Sequence, residues 1–124
     1  MKFISTRTHG ALDYIFGLLL IGLPWFLGNG GTGPESLTPT LIGLFTIAAA
    51  TMTDYENSLL NLIPMKMHLI IDFMTALFLG ASPWIFQFED KTYLPFVFFA
   101  AFEIIVVLFS RHTRNRDSGK ENLI

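Results

Sequence analysis

The sequence predicts an all-α protein: a four-helix transmembrane bundle made of two tandem helical hairpins related by a pseudo-two-fold axis along the membrane normal. Three observations predict it: a charge-poor composition, four apolar segments of near-spanning length, and an internal repeat. Of 124 residues 52% are hydrophobic and 15% charged, where an ordinary soluble domain carries about 25% charge. A chain this short has a high surface-to-volume ratio and needs a charged surface to stay in water. Thirteen phenylalanines and a mean hydropathy of +0.52 point instead to lipid as the solvent.

Lipid offers no partner to an unpaired backbone group, so a spanning segment is helical or part of a closed barrel, and a helix needs about 20 mostly apolar residues. Four segments approach that length: His9 to Gly28, Leu37 to Thr53, Met65 to Phe88 and Tyr93 to Ser110. None alternates with the period of two that a membrane strand requires. The second segment is the short one and is expected to stand upright. The run from Gly28 to Pro34 holds four glycines and a proline and breaks the first helix; Ser36 or Thr38 is expected to cap the second. Asp54 to Pro64 and Gln87 to Thr92 form the other joints. Connections this short make sequential helices antiparallel neighbours. These boundaries give a membrane domain over 1–110, with repeats at about 7–57 and 66–110, and a polar tail over 111–124.

The basic residues orient the bundle. Lys2, Arg7, Lys66, Arg111, Arg114, Arg116 and Lys120 fall on one side and Lys91 alone on the other, which places both termini in the cytoplasm of a prokaryotic cell, in its plasma (inner) membrane. Trp25, Trp84 and Tyr93 then lie at the far interface. A signal peptide is rejected, because Asp13 interrupts the apolar stretch and the segment recurs later in the chain.

Sliding the chain by 59 positions places His9 on His68, Asp13 on Asp72, Leu18 on Leu77, Leu20 on Leu79, Pro24 on Pro83 and Trp25 on Trp84, six identities in 19 aligned positions. His, Asp, Pro and Trp are uncommon in membrane helices, so their joint recurrence marks a duplication. Each unit has two helices, and its copy therefore enters the membrane in the same direction. At this spacing Glu103 aligns with Leu44, and the second helices show no other kinship. Ser82-Pro83-Trp84, the variant Leu23-Pro24-Trp25 and the repeated His-x-x-x-Asp resemble the SPW-repeat family of small prokaryotic integral membrane proteins. The resemblance runs from about Arg7 to Ser110. It implies paired membrane helices and brings no reaction, substrate or catalytic residue.

Zero cysteines exclude thiolate chemistry, disulfides and Cys-ligated metals. His9 and Asp13, like His68 and Asp72, are four apart and share a helix face. Together they are candidate ligands for a divalent metal, or a proton-binding cluster. The plainer expectation is an interfacial pair in which each Asp sits in a helix first turn, favoured by the macrodipole, beside its own His. Asp54 and Glu56 lie at similar depth in a polar loop, within reach of Lys66 or His68. Glu103, about seven residues inside the fourth helix and so on the order of 10 Å deep, is a functional candidate as an ionisable group in lipid, either a neutral acid or a carboxylate paired across the bundle. The proline-tryptophan pairs are structural: Pro24 and Pro83 kink or end their helices and set Trp25 and Trp84 at the interface. Ser82 is placed to bond a carbonyl freed by Pro83, and Gly80 and Ala81 permit close helix approach.

Nucleic-acid binding is excluded by a net charge of -2, and no Walker loop, HExxH, GxGxxG or GxSxG is present. The partners expected are the lipid bilayer and a second copy or a larger membrane complex. The leading function is a non-enzymatic membrane module. The second reading is proton or divalent-metal binding or transport through His9, Asp13, His68, Asp72 and Glu103, and the third an enzyme or haem carrier using His9, His68 and His112.

Overall fold

A computed structural model describes residues 2–28, 30–53 and 59–111. Asp54, Glu56, His112, Arg114, Arg116 and Lys120 lie outside the described residues. The helices are α1 (Thr6–Phe26), α2 (Pro34–Met52), α3 (Met65–Ile85) and α4 (Leu94–Leu108). They form two hairpin pairs, α1 with α2 and α3 with α4. Helices α1 and α3, 21 residues each, are long and apolar enough to cross a membrane, whereas α4 is apolar but only 15 residues long.

The local causes are legible residue by residue. Ser5 caps α1, its hydroxyl accepting from the Thr8 N–H at 3.1 Å. Helix α2 starts three residues earlier than expected: Gly33 is its N-cap and Pro34, with no N–H to leave unpaired, opens it. Ser36 does not cap it but accepts from the Gly31 N–H at 3.2 Å. The odd helices end alike, on a left-handed residue 59 positions apart, Gly28 (φ 74°) and Gln87 (φ 59°). Pro24 and Pro83 lie inside the last turn of their helices. Pro83 strips the Leu79 carbonyl of its N–H partner, and the Ser82 hydroxyl replaces it at 2.7 Å.

Small residues set the spacing within each hairpin. A Cβ on Gly17 would stand 2.9 Å from the Gly43 carbonyl oxygen, and one on Gly43 would stand 2.5 Å from that of Gly17, so α1 and α2 touch backbone to backbone. Across α3 and α4 a Cβ on Gly80 would meet that of Ala100 at 2.9 Å. Gly43 also crowds Ile21, and Ile21 and Gly80 are again 59 apart. Gly43 and Ala100 are 57 apart, the first sign that the even helices repeat at a different spacing from the odd ones.

Two apolar clusters fill the interior. Phe16, Leu20, Leu23, Ile42, Leu79, Phe88 and Phe96 form the larger one at the loop end of the hairpins. Ala50, Met65, Leu69 and Val107, flanked by Tyr14 and Phe73, form the other. Lateral grooves lined by Ile15, Leu19, Phe98 and Phe102 on one side, and by Met74, Phe78, Leu41 and Phe45 on the other, match position for position at the same two spacings. Trp25, Trp84 and Tyr93 are exposed, with the Trp84 and Tyr93 rings 5.6 Å apart.

A candidate metal or proton site in the bundle interior

The two His-Asp pairs converge into one buried quartet. Helices α1 and α3 each begin three residues before the pair's histidine, at Thr6 and Met65. Asp13 and Asp72 are therefore the eighth residue of their helices, about 10 Å along the axis. No acidic residue occupies either first turn, which corrects the macrodipole reading, since that field fades within one turn. Nor are the pairs interfacial: His9 and Asp13 are 0% exposed, His68 1% and Asp72 5%.

The partners are reciprocal as well as local. His9 Nε2 lies 2.8 Å from Asp72 Oδ2 and 3.3 Å from Asp13 Oδ2; His68 Nε2 lies 2.7 Å from Asp13 Oδ2 and 2.8 Å from Asp72 Oδ2. The closest contact of Asp13 is thus to the histidine of the other repeat. One ligand-type atom from each residue lies within 4.8 Å of all the others. The imidazoles meet edge to face with centroids 5.4 Å apart, so a porphyrin has no room between them, and His112 lies outside the described residues.

Two hydroxyls, which sequence reasoning did not single out, complete the site. Ser110 Oγ is 2.7 Å from His9 Nδ1, and Thr53 Oγ1 is 2.7 Å from His68 Nδ1. Both residues follow the end of an even helix and are fully buried. Each is held by a short parallel bridge to the chain five residues ahead of its histidine, Ser110 to Ile4 and Thr53 to Ile63. Backbone bonds from Ile4 to Phe109, Arg111 to Ile4 and Ile63 to Met52 (2.8–2.9 Å) close this end of the bundle over the quartet.

The hydroxyl hydrogens are already committed. Thr53 Oγ1 donates to the Ala49 carbonyl at 2.7 Å and Ser110 Oγ donates to that of Val106. A carbonyl only accepts, so each hydroxyl can only accept from its histidine, and both Nδ1 atoms carry a proton. Both Nε2 atoms then face carboxylate oxygens at hydrogen-bond distance. A bare nitrogen lone pair against a carboxylate is repulsive, so a positive charge belongs between them.

The hydroxyl pairs also fix the register of the even helices. Thr53 and Ser110 are 57 apart, as are their acceptors Ala49 and Val106. Sliding by 59 hid this kinship, because α4 begins three residues late relative to α2 after a link one residue longer, which leaves the second repeat two residues short. Glu103 therefore corresponds to Thr46, not Leu44, and both side chains are buried while Leu44 is exposed. Glu103 Oε2 has no hydrogen-bond partner. It lines a small cavity against the quartet, together with Thr46, Thr75 and Asp72. Asp13 Oδ1 is likewise unpartnered.

Fold and site together define a class: an all-α protein of two helical hairpins, of membrane type, enclosing a polar quartet. The SPW repeat domain family matches the chain over residues 7–110, and the protein belongs to that family. No curated protein and no solved structure matches it.

Proposed function

We propose that this chain is a multi-pass membrane protein whose two tandem hairpins, related by a pseudo-two-fold along the membrane normal, enclose one binding site for a divalent first-row metal ion. The ligands are Nε2 of His9 and His68 and a carboxylate oxygen each from Asp13 and Asp72. The observation that carries this is the direction of the two hydroxyl bonds. They hold each imidazole by its Nδ1–H and leave Nε2 free to ligate, which is how a ligand histidine is normally oriented.

Charge and size agree with a metal. Two carboxylates and two neutral imidazoles with one dication sum to zero, as burial demands. A tetrahedral ion with bonds of about 2.0–2.1 Å keeps its ligand atoms about 3.3 Å apart, and the nitrogen–oxygen distances of 2.7–3.3 Å require only a slight outward relaxation. Nitrogen and oxygen donors without thiolate suit zinc, iron, cobalt or nickel better than the soft monovalent ions.

The surroundings favour holding an ion over moving or using one. The large apolar cluster fills the loop end, and the paired segments at Ile4 and Ile63 close the other, so the described residues offer no continuous polar path. The adjoining cavity has room for about one water, too little for an organic substrate, which supports a non-enzymatic module. Lys2, Arg7, Lys66 and Arg111 all lie at the closed end and Lys91 at the other, which supports cytoplasmic termini in a prokaryotic plasma membrane.

Elemental analysis of gently purified protein tests the reading. One equivalent of a first-row metal is expected, lost in His9→Ala and His68→Ala. If the protein carries no metal and added zinc, manganese or iron leaves its thermal unfolding unchanged, the quartet is filled by two protons on the imidazoles and the proposal fails.

A further inference from the structure

At one place in the interior the pseudo-symmetry breaks twice in the same direction. At the spacings fixed by the quartet and its hydroxyls, Phe16 of the first repeat becomes Thr75 in the second, and Thr46 becomes Glu103. All four side chains line the same small cavity, with Asp72 at the quartet end and Leu79 opposite. A core in lipid gains nothing from replacing a phenylalanine by a hydroxyl and a hydroxyl by an acid, since each buried polar group demands a partner. Both replacements bring oxygen to one point.

The Glu103 side chain is 4% exposed and its Oε2 has no hydrogen-bond partner. The polar wall around it consists of oxygen alone: two carboxylates and two hydroxyls. Oxygen-only sites select hard cations. Asp72 is already balanced within the quartet by its two histidines, so an ionised Glu103 would place a single negative charge in the cavity and call for a single positive one. The space accommodates about one water, so it admits one bare alkali cation, and four oxygen-bearing side chains are enough to surround sodium but too few for the larger shell of a potassium ion.

We infer that Glu103, Thr46, Thr75 and Asp72 form a sodium site beside the quartet. The inference does not rest on the quartet holding a metal, because the quartet is neutral with either one dication or two protons.

Thermal unfolding of the full chain in detergent, with a chelator in every sample, tests it in sodium, potassium and N-methylglucamine chlorides at equal ionic strength. The midpoint is expected to rise with the logarithm of sodium concentration and to stay flat in the other two salts, as for any ligand that binds only the folded state. Glu103→Gln should abolish the sodium response. If that variant fails to fold, Thr46→Val and Thr75→Val keep the bulk and should move the response to about tenfold higher sodium. Three superimposable curves for the wild type overturn the inference and assign the charge of Glu103 to a proton. The chelator keeps that outcome separate from failure of the divalent reading, which the elemental analysis decides.

Discussion

Thr53→Val removes one oxygen from the site at almost constant volume and tests the hydroxyl argument directly. Thr53 is fully buried and sits 2.7 Å from both His68 Nδ1 and the Ala49 carbonyl. Valine leaves no cavity, so the cost is that of a buried N–H with no acceptor, about 1–3 kcal/mol. Loss of such a support beneath a ligand histidine weakens metal affinity about 10–100-fold, which is about 1.4–2.7 kcal/mol and so agrees with the first figure. Competition with a chromophoric chelator in micelles reads that affinity. Thr53→Ser restores the oxygen and should bind within about twofold of wild type, whereas Ser110→Ala should repeat the valine defect through His9. If Thr53→Val folds and keeps wild-type affinity, His68 is not oriented through Nδ1–H and the argument for a ligand at Nε2 falls with it.

Gly43→Ala should destabilise by about 1–3 kcal/mol in a denaturation series, because its Cβ would press on the Gly17 carbonyl and the α1 backbone at Ile21, neither of which can swing aside. Gln87→Gly should stabilise by about 1 kcal/mol, since Gln87 holds φ 59°, where an L side chain is strained and glycine is not. Ser82→Ala should cost about 1 kcal/mol by exposing the Leu79 carbonyl that Pro83 already deprives of an N–H. Lys91→Ala should leave stability within about 0.5 kcal/mol of wild type, because its 3.2 Å bridge to Glu35 is made by a side chain 65% exposed.

What the sequence carried and what it hid have one physical cause. The odd helices could be aligned because His, Asp, Pro and Trp are rare in lipid, and the His and Asp of each repeat form half the quartet. The even helices are built from Leu, Ala, Ile, Val and Phe, where matches mean little, and their only informative residues are hydroxyls of two kinds, Thr53 and Ser110. A threonine and a serine do not score as a repeat, and the later start of α4, which leaves the second repeat two residues short, put them out of register. Their role appears only in three dimensions, where each is pinned beside the histidine of the other repeat by backbone pairing with Ile63 or Ile4. The start of α3 at Met65 was legible, but that of α1 at Thr6 was hidden for a related reason. Polar residues from Ser5 to Thr8 look like a loop in a hydropathy profile, although Ser5 caps a helix there. With these starts Asp13 and Asp72 are each the eighth residue of their helix, beyond the reach of the first turn, and both pairs are buried in the bundle.

The reciprocal wiring constrains how the site arose and what it does. Each histidine takes a carboxylate at 2.7–2.8 Å and its hydroxyl at 2.7 Å from the opposite repeat, so a lone hairpin, although its own His and Asp are within reach of each other, lacks the second carboxylate and the hydroxyl that complete each histidine. A single hairpin would complete the set only by pairing with a second copy, which is the geometry a homodimer about a two-fold supplies. Four ionisable side chains in lipid bring no stability that four apolar ones would not exceed. A His-Asp pair in both halves, with Phe16 matched to Thr75 and Thr46 to Glu103 beside it, fits the proposed reading of the interior as a binding site rather than a device for folding alone.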